Sequence, residues 1–196
     1  ITYHPATLGQ QEPVAAMNEL LAALDEFPDA TVIFTYPNAD TGGRVLIERI
    51  EQWVATNKHR TKAFVSLGQK RYLSLMREAD VIIGNSSSGL IEAPSFCLPV
   101  VNVGTRQDGR TRACNVIDVG NSVDQIHAGM ERAIAADQTD GGFFLSDSCV
   151  SAFSLPCWVP SDLPEWSPGI RRICLTRTKS SNETLPRAQK YTTAPA

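Results

Sequence analysis

The sequence predicts an α/β protein over residues 1–137, with a doubly wound, Rossmann-like parallel sheet. Three observations carry this. Several short runs are apolar almost throughout instead of alternating, which suits strands covered on both faces. These runs alternate with segments whose apolar residues recur at helical spacing, as in a wound α/β sheet. The connections are short, and several strands run straight into loops of small and polar residues.

Taken in order, Ile1-Thr2-Tyr3 reads as the end of a buried strand, so the sequence is expected to begin inside a fold. Glu12–Glu26 sets Val14, Met17, Leu20, Leu21 and Leu24 on one helical face. Thr31–Tyr36 is a β-branched and aromatic run closed by Pro37-Asn38. A second helix is expected over Gly43–Thr56, with Leu46, Ile47, Ile50, Trp53 and Val54 facing inward. Ala63–Leu67 reads as a strand and Gln69–Glu78 as a helix carrying Tyr72, Leu73 and Met76. Val81–Ile83 is the next strand, followed by a short helix over Leu90–Phe96. Val100–Val103 and Val116–Val119 complete the strands, and Ser122–Ala136 is a last amphipathic helix through Val123, Ile126, Met130 and Ile134.

The remaining stretch, 138–196, breaks the pattern. From Gly141 onward no period of two or of 3.6 is sustained, and half of the 12 prolines fall there. Such a shift in composition marks a linker, an appended segment or an aberrant end, so an irregular tail is expected. A net charge of −3 argues against a nucleic-acid-wrapping protein. No apolar run approaches the roughly 20 residues that cross a bilayer, and no signal peptide is visible. The five cysteines show neither a CxxC pair nor zinc-type spacing. Reduced thiols, a cytoplasmic location, no metal and no cofactor are therefore expected.

Ligands of an open α/β sheet bind beyond the carboxyl ends of its strands. Four loops should open onto that edge: His4–Thr7, Pro37–Gly43, Gly84–Gly89 and Gly104–Arg110. In the third, Gly84-Asn85-Ser86-Ser87-Ser88-Gly89 leads from a strand into a helix. Small side chains there let an anion approach unpaired backbone N–H groups, and the serine hydroxyls add donors. The plainer reading is that a serine caps the helix while Glu92 favours its dipole. The loop lacks the lysine of a P-loop, so it is not read as a Walker site. Glu92 is either such an N-terminal charge or an acceptor for the two hydroxyls of a ribose. Arg106 is either a surface arginine or a bidentate diphosphate clamp. His4 is either structural or a group that reaches phosphate or moves a proton. Asn38 reads first as a turn former.

Together, Tyr3–Thr7, Tyr36–Asp40, Gly84–Glu92 and Gly104–Arg110 resemble the hydrolysing UDP-N-acetylglucosamine 2-epimerases of sialic-acid and bacterial nonulosonic-acid synthesis. The order and spacing of four motifs make the resemblance specific, and it extends to about residue 136. It implies the C-terminal half of a two-domain, GT-B-type fold with substrate in the cleft between the halves. It also implies that Ser86, Ser87 and Ser88 hold the diphosphate of UDP or UDP-N-acetylglucosamine, and that Glu92 binds the ribose. Arg106 and His4 would then contact phosphate or assist the leaving group, with His4 the catalytic candidate, and Asn38 would line the cleft.

The family's reaction eliminates UDP across C1 and C2 of the sugar and hydrates the resulting glycal to N-acetylmannosamine. Its proton-transfer carboxylates belong to the N-terminal half, so that half is the expected partner, alongside a possible homo-oligomer, and the isolated chain is expected to be inactive. The family's Asp-Gly-Asn type loop and closing helix are not found after Asp137, which suggests a frameshift or fusion. Two other readings stand beside this one: the nucleotide-binding half of a GT-B-type glycosyltransferase, which Gly104-Thr105-Arg106-Gln107 fits poorly, and a non-catalytic nucleotide-sugar-binding module. A sheet edge left bare by a clipped first strand predicts marginal stability.

Overall fold

The computed structural model describes residues 1–5, 12–38 and 41–138. Ala6, Thr7, Ala39, Asp40, three of the cysteines and the tail from residue 139 onward lie outside the described residues.

The chain forms helix α1 (Pro13–Asp25), strand β1 (Val32–Thr35), α2 (Thr41–Thr56), β2 (Thr61–Phe64), α3 (Gly68–Glu78) and β3 (Ile82–Gly84). It continues through α4 (Ser88–Ile91), a 3-10 turn at Ala93–Phe96, β4 (Val100–Val103), β5 (Val116–Val119) and α5 (Val123–Gln138). Among the described residues all strand pairings are parallel: β1 with β2, β3 with β4, and β4 with β5. Thr2 makes parallel bridges to both Thr35 and Gly84, so the opening segment joins the two groups of strands. The resulting order, β2-β1-Thr2-β3-β4-β5, is that of a doubly wound α/β sheet, as the apolar runs predict.

The order reverses its direction of growth between Thr2 and β3. Close approach there depends on Gly84, at φ +133°, because a Cβ on it would lie 2.1 Å from the Thr2 carbonyl oxygen.

One face of the sheet carries most of the core. Met17, Leu20, Leu21 and Leu24 of α1 pack with Leu46, Ile50 and Trp53 of α2, Ile126, Met130 and Ala133 of α5, and the strand residues Phe34, Val101 and Ile117. Their spacing is that of the helical faces read from the sequence. Glu19 of α1 accepts a hydrogen bond from the N–H of Val123 at 3.0 Å and so caps α5 from a neighbouring helix. The opposite face is smaller and rests on Met76, Ala93, Leu98 and Val100.

Three local readings are corrected. The second strand is Thr61–Phe64 and not Ala63–Leu67. Its start is set where the Thr61 hydroxyl donates to the Asn57 carbonyl at 2.8 Å, and Val65 beyond it is 80% exposed. Being at the sheet edge, β2 keeps only Thr61 buried, so its side chains do not read as a covered strand. The expected Leu90–Phe96 helix divides into α4 and the 3-10 turn, because Pro94 supplies no N–H and Cys97 ends the segment at φ 51°. Cys97 is not in a disulfide, but Cys114 is disulfide-bonded, against the expectation of reduced thiols throughout. Among the described residues no helix is long and apolar enough to cross a membrane.

Candidate functional site

Because all strands run parallel, the segments after Tyr3, β1, β3 and β4 leave the sheet at one edge. Thr2 is paired with both Thr35 and Gly84, so His4, Pro37 and Ser86 each follow their bridge residue by two positions. His4 and Ser86 flank the point where strand order reverses, the usual position of a ligand crevice in such sheets.

Asn85, 1% exposed, ties this point together. Its Oδ1 accepts from the His4 N–H at 2.7 Å, and its Nδ2 donates to the His4 carbonyl at 2.8 Å. Its own carbonyl accepts from Arg106 Nη1 at 2.9 Å and from Gln107 Nε2 at 2.6 Å. Three of the four motif loops thus meet on one residue. Asn85 and Gln107 stand within the motifs, but the sequence pattern assigns neither a role. The signal that could have found them is a polar side chain at the carboxyl end of a strand that the parallel-sheet argument already buries.

Arg106 is exposed at the surface, yet one nitrogen of its guanidinium is committed to Asn85. Burial first, and the nearby Arg110 second, lower its proton affinity below the ordinary arginine range. The loop bearing it is tied down by Arg112, which reaches Asp118 at 2.7 Å, Asp108 at 3.2 Å and the Arg110 carbonyl at 2.9 Å. Asp118 in turn accepts from Asn102 of β4 at 2.6 Å.

Ser86, Ser87 and Ser88 are all half-buried. Ser87 stands at the N-cap of α4 without a side-chain capping bond, while Ser86 Oγ accepts from the Ser88 N–H at 3.4 Å at the same helix start. α4 is one turn long and carries little dipole, leaving the serine hydroxyls and loop N–H groups as the donors an anion would meet. Ser86 and Ser88 are linked Oγ to Oγ at 3.0 Å, and Ser88 is linked to the Tyr72 hydroxyl at 2.7 Å.

Glu92 closes α4, half-buried, with Oε2 shielded from solvent and without a hydrogen-bond partner among the described residues. A buried carboxylate oxygen in that state is suited to accept from a hydroxyl. Asn38 lies exposed at the same edge, one strand farther from the reversal point. Among the described residues no group of three His, Cys, Asp or Glu could hold a metal ion.

Residues 1–142 match the family model described as UDP-N-acetylglucosamine 2-epimerase. The chain is 43% identical over 132 residues to a GDP/UDP-N,N'-diacetylbacillosamine 2-epimerase (hydrolyzing) of Campylobacter jejuni, covering 67% of this chain and 34% of that protein. It is 38% identical over 120 residues to the polysialic acid biosynthesis protein P7 of Escherichia coli, covering 61% and 30%. A UDP-N,N'-diacetylbacillosamine 2-epimerase (hydrolyzing) of Legionella pneumophila is 41% identical over 103 residues, covering 53% and 27%. The chain therefore spans about a third of the length of these curated relatives. A family match over most of the chain, on a doubly wound sheet whose motif loops converge at the strand-order reversal, makes this chain a member of the UDP-N-acetylglucosamine 2-epimerase family.

Proposed function

We propose that this chain is the UDP-binding half of a hydrolysing UDP-sugar 2-epimerase, acting in the cytoplasm with an N-terminal half that completes the cleft. The observation that carries this reading is the convergence of the His4, serine and Arg106 loops on Asn85. In it, the serine loop and Arg106 hold the diphosphate, Glu92 accepts from the ribose hydroxyls, His4 stands beside the phosphates and Asn38 lines the cleft.

The parent reaction breaks the C1–O bond to UDP and removes the C2 proton, giving a glycal. Water then adds across the double bond and releases the epimerised free sugar. Such chemistry needs a base at C2 and stabilisation of a departing diphosphate. The residues of this chain supply the second. Arg106 brings a fixed positive charge, and the loop donors are held by the sheet before substrate arrives, so little reorganisation is needed.

For the sugar, the relatives named for N,N'-diacetylbacillosamine are 43% and 41% identical, against 28% for a UDP-N-acetylglucosamine 2-epimerase of Neisseria meningitidis. This favours a 2,4-diacetamido sugar over N-acetylglucosamine as the group carried on UDP, with the 2-epimer of that sugar as product in place of N-acetylmannosamine.

Calorimetric titration of the folded chain with UDP tests the reading, repeated on Arg106→Ala and Glu92→Gln. Binding that weakens in both variants supports it. A folded chain that binds UDP equally well with and without these side chains would refute the assigned site.

A further inference from the structure

We infer that Tyr72 is a positioning residue for the nucleotide diphosphate, acting through Ser88 to present the Ser86 hydroxyl as a donor. The inference rests on the UDP-binding reading above and adds a residue that lies outside the motif loops, on α3.

The geometry is a chain of three hydroxyls. Tyr72 and Ser88 are 2.7 Å apart, and Ser88 and Ser86 are 3.0 Å apart. The Ser88 backbone N–H also points at Ser86 Oγ, at 3.4 Å. Each hydroxyl has one proton to give and two lone pairs to receive. The phenol is the more acidic partner of the first pair, so the favoured arrangement has Tyr72 donating to Ser88. Ser88 must then place its own proton, and among the described residues Ser86 is the remaining partner of its hydroxyl. With Ser88 Oγ and Ser88 N–H both donating to it, Ser86 has its two lone pairs filled. Its proton is left to point outward.

A hydroxyl in that state is selective. It can donate to an oxygen anion but has no free lone pair with which to accept from a sugar hydroxyl or an amide. Without the tyrosine, Ser88 can accept from Ser86 instead, and the outward donor is lost for part of the time. The device thus biases the crevice toward an acceptor such as a phosphate oxygen. Tyr72 is half-buried on α3 and packs against the small core cluster of Met76, Ala93, Leu98 and Val100, so it can hold this position without the ligand.

The test compares UDP with uridine on the wild-type chain, Tyr72→Phe, Ser88→Ala and the double variant. Removing the phenol oxygen is expected to weaken UDP binding about fivefold, the size of one modest hydrogen bond. Uridine affinity should not change, Ser88→Ala should weaken UDP binding to a similar degree, and the double variant should be no worse than either single one. Tyr72→Phe keeps the ring, so a role in packing alone leaves UDP and uridine affinities both unaltered, which would overturn the inference. Equal weakening of UDP and uridine, or additive losses in the double variant, would overturn it as well. A folded wild-type chain that binds no UDP would remove the nucleotide reading itself, an outcome distinct from normal UDP binding by Tyr72→Phe.

Discussion

Asn85 and His4 hold one another by two hydrogen bonds of opposite sense, 2.7 Å from the His4 N–H and 2.8 Å to the His4 carbonyl. A side-chain amide here does the work of a β-bridge, continuing the pairing of Thr2 with Gly84 past the point where the strands part. Asn85→Ala takes one hydrogen bond from each of the two His4 backbone groups, at an expected cost of about 2–4 kcal/mol. Asn85→Asp keeps the acceptor but sets a carboxylate against the His4 carbonyl, and should be less stable at neutral pH than in mild acid. Urea unfolding of the two variants across that range checks this; equal stability with wild type would show that the amide is incidental.

Gly84 supports the same junction by its absence of a side chain. Its φ of +133° and the 2.1 Å gap between a built Cβ and the Thr2 oxygen leave no room for alanine. Gly84→Ala is expected to lose at least about 3 kcal/mol, with the damage centred on the join between the two groups of strands. Hydrogen exchange should show amides of Thr2 and Asn85 opening first. A variant as stable as the parent would mean that the junction has slack.

Arg60 is a second organising residue. Its guanidinium donates to the carbonyls of Leu24 in the last turn of α1 at 3.4 Å and of Phe27 just beyond it at 2.9 Å, and lies 5.1 Å from the Trp53 ring centroid. A lysine cannot satisfy these in the same plane. Arg60→Lys should cost about 1–2 kcal/mol and lower the thermal midpoint, with UDP affinity preserved. Loss of UDP binding without loss of stability would contradict this assignment.

Much of the framework was legible because it depends on patterns that neighbours cannot hide. The α1 face through Met17, Leu20 and Leu24, and strands such as Val100–Val103, follow from periodicity alone. The motif loops were found from small residues placed after strands. What escaped depends on meetings between distant segments. Asn85 gains its role only when His4, 81 residues away, is brought alongside. Tyr72 reads as a core aromatic until α3 lands beside Ser88. The strand at Thr61–Phe64 lies two residues before the apolar run at Ala63–Leu67, because an edge strand lacks the two-sided burial that the pattern relies on. The division of the helix after the serine loop was readable from Pro94.

Tyr3 gives the fold a dependence on alkaline pH. Buried at 4% exposure, its phenol is held above its ordinary pKa of 10.0, because burial disfavours the phenolate. The folded state therefore holds this proton more tightly than the unfolded chain. The stabilisation is complete below pH 10 and is lost as pH rises through the folded value. Tyr36 shifts the same way, through burial first and then its bond to Glu51, but is more open to solvent. Tyr3→Phe should flatten the fall in stability above pH 10, and Tyr36→Phe should do so less. Ultraviolet titration of tyrosinate beside thermal melts reads both; an unchanged slope in Tyr3→Phe would refute the burial argument.

Arg106 and Gln107 reach the same carbonyl of Asn85, yet their surroundings separate their roles. Gln107 is 1% exposed, so Gln107→Ala removes a hydrogen bond and opens a void in the packed base of the loop. It should cost about 2 kcal/mol of stability. Arg106 is exposed, and among the described residues only one of its nitrogens has a hydrogen-bond partner. The rest of its planar fork remains available to a diphosphate, so Arg106→Ala should leave stability within about 1 kcal/mol while weakening UDP binding roughly tenfold to hundredfold. Arg106→Lys should recover only part of that affinity, because an ammonium cannot hold Asn85 and a phosphate in one rigid plane. Paired melts and titrations of the three variants decide the matter. If Arg106→Ala lost stability like Gln107→Ala and kept its UDP affinity, the arginine would be a loop brace, and the diphosphate would have to be held elsewhere along the edge.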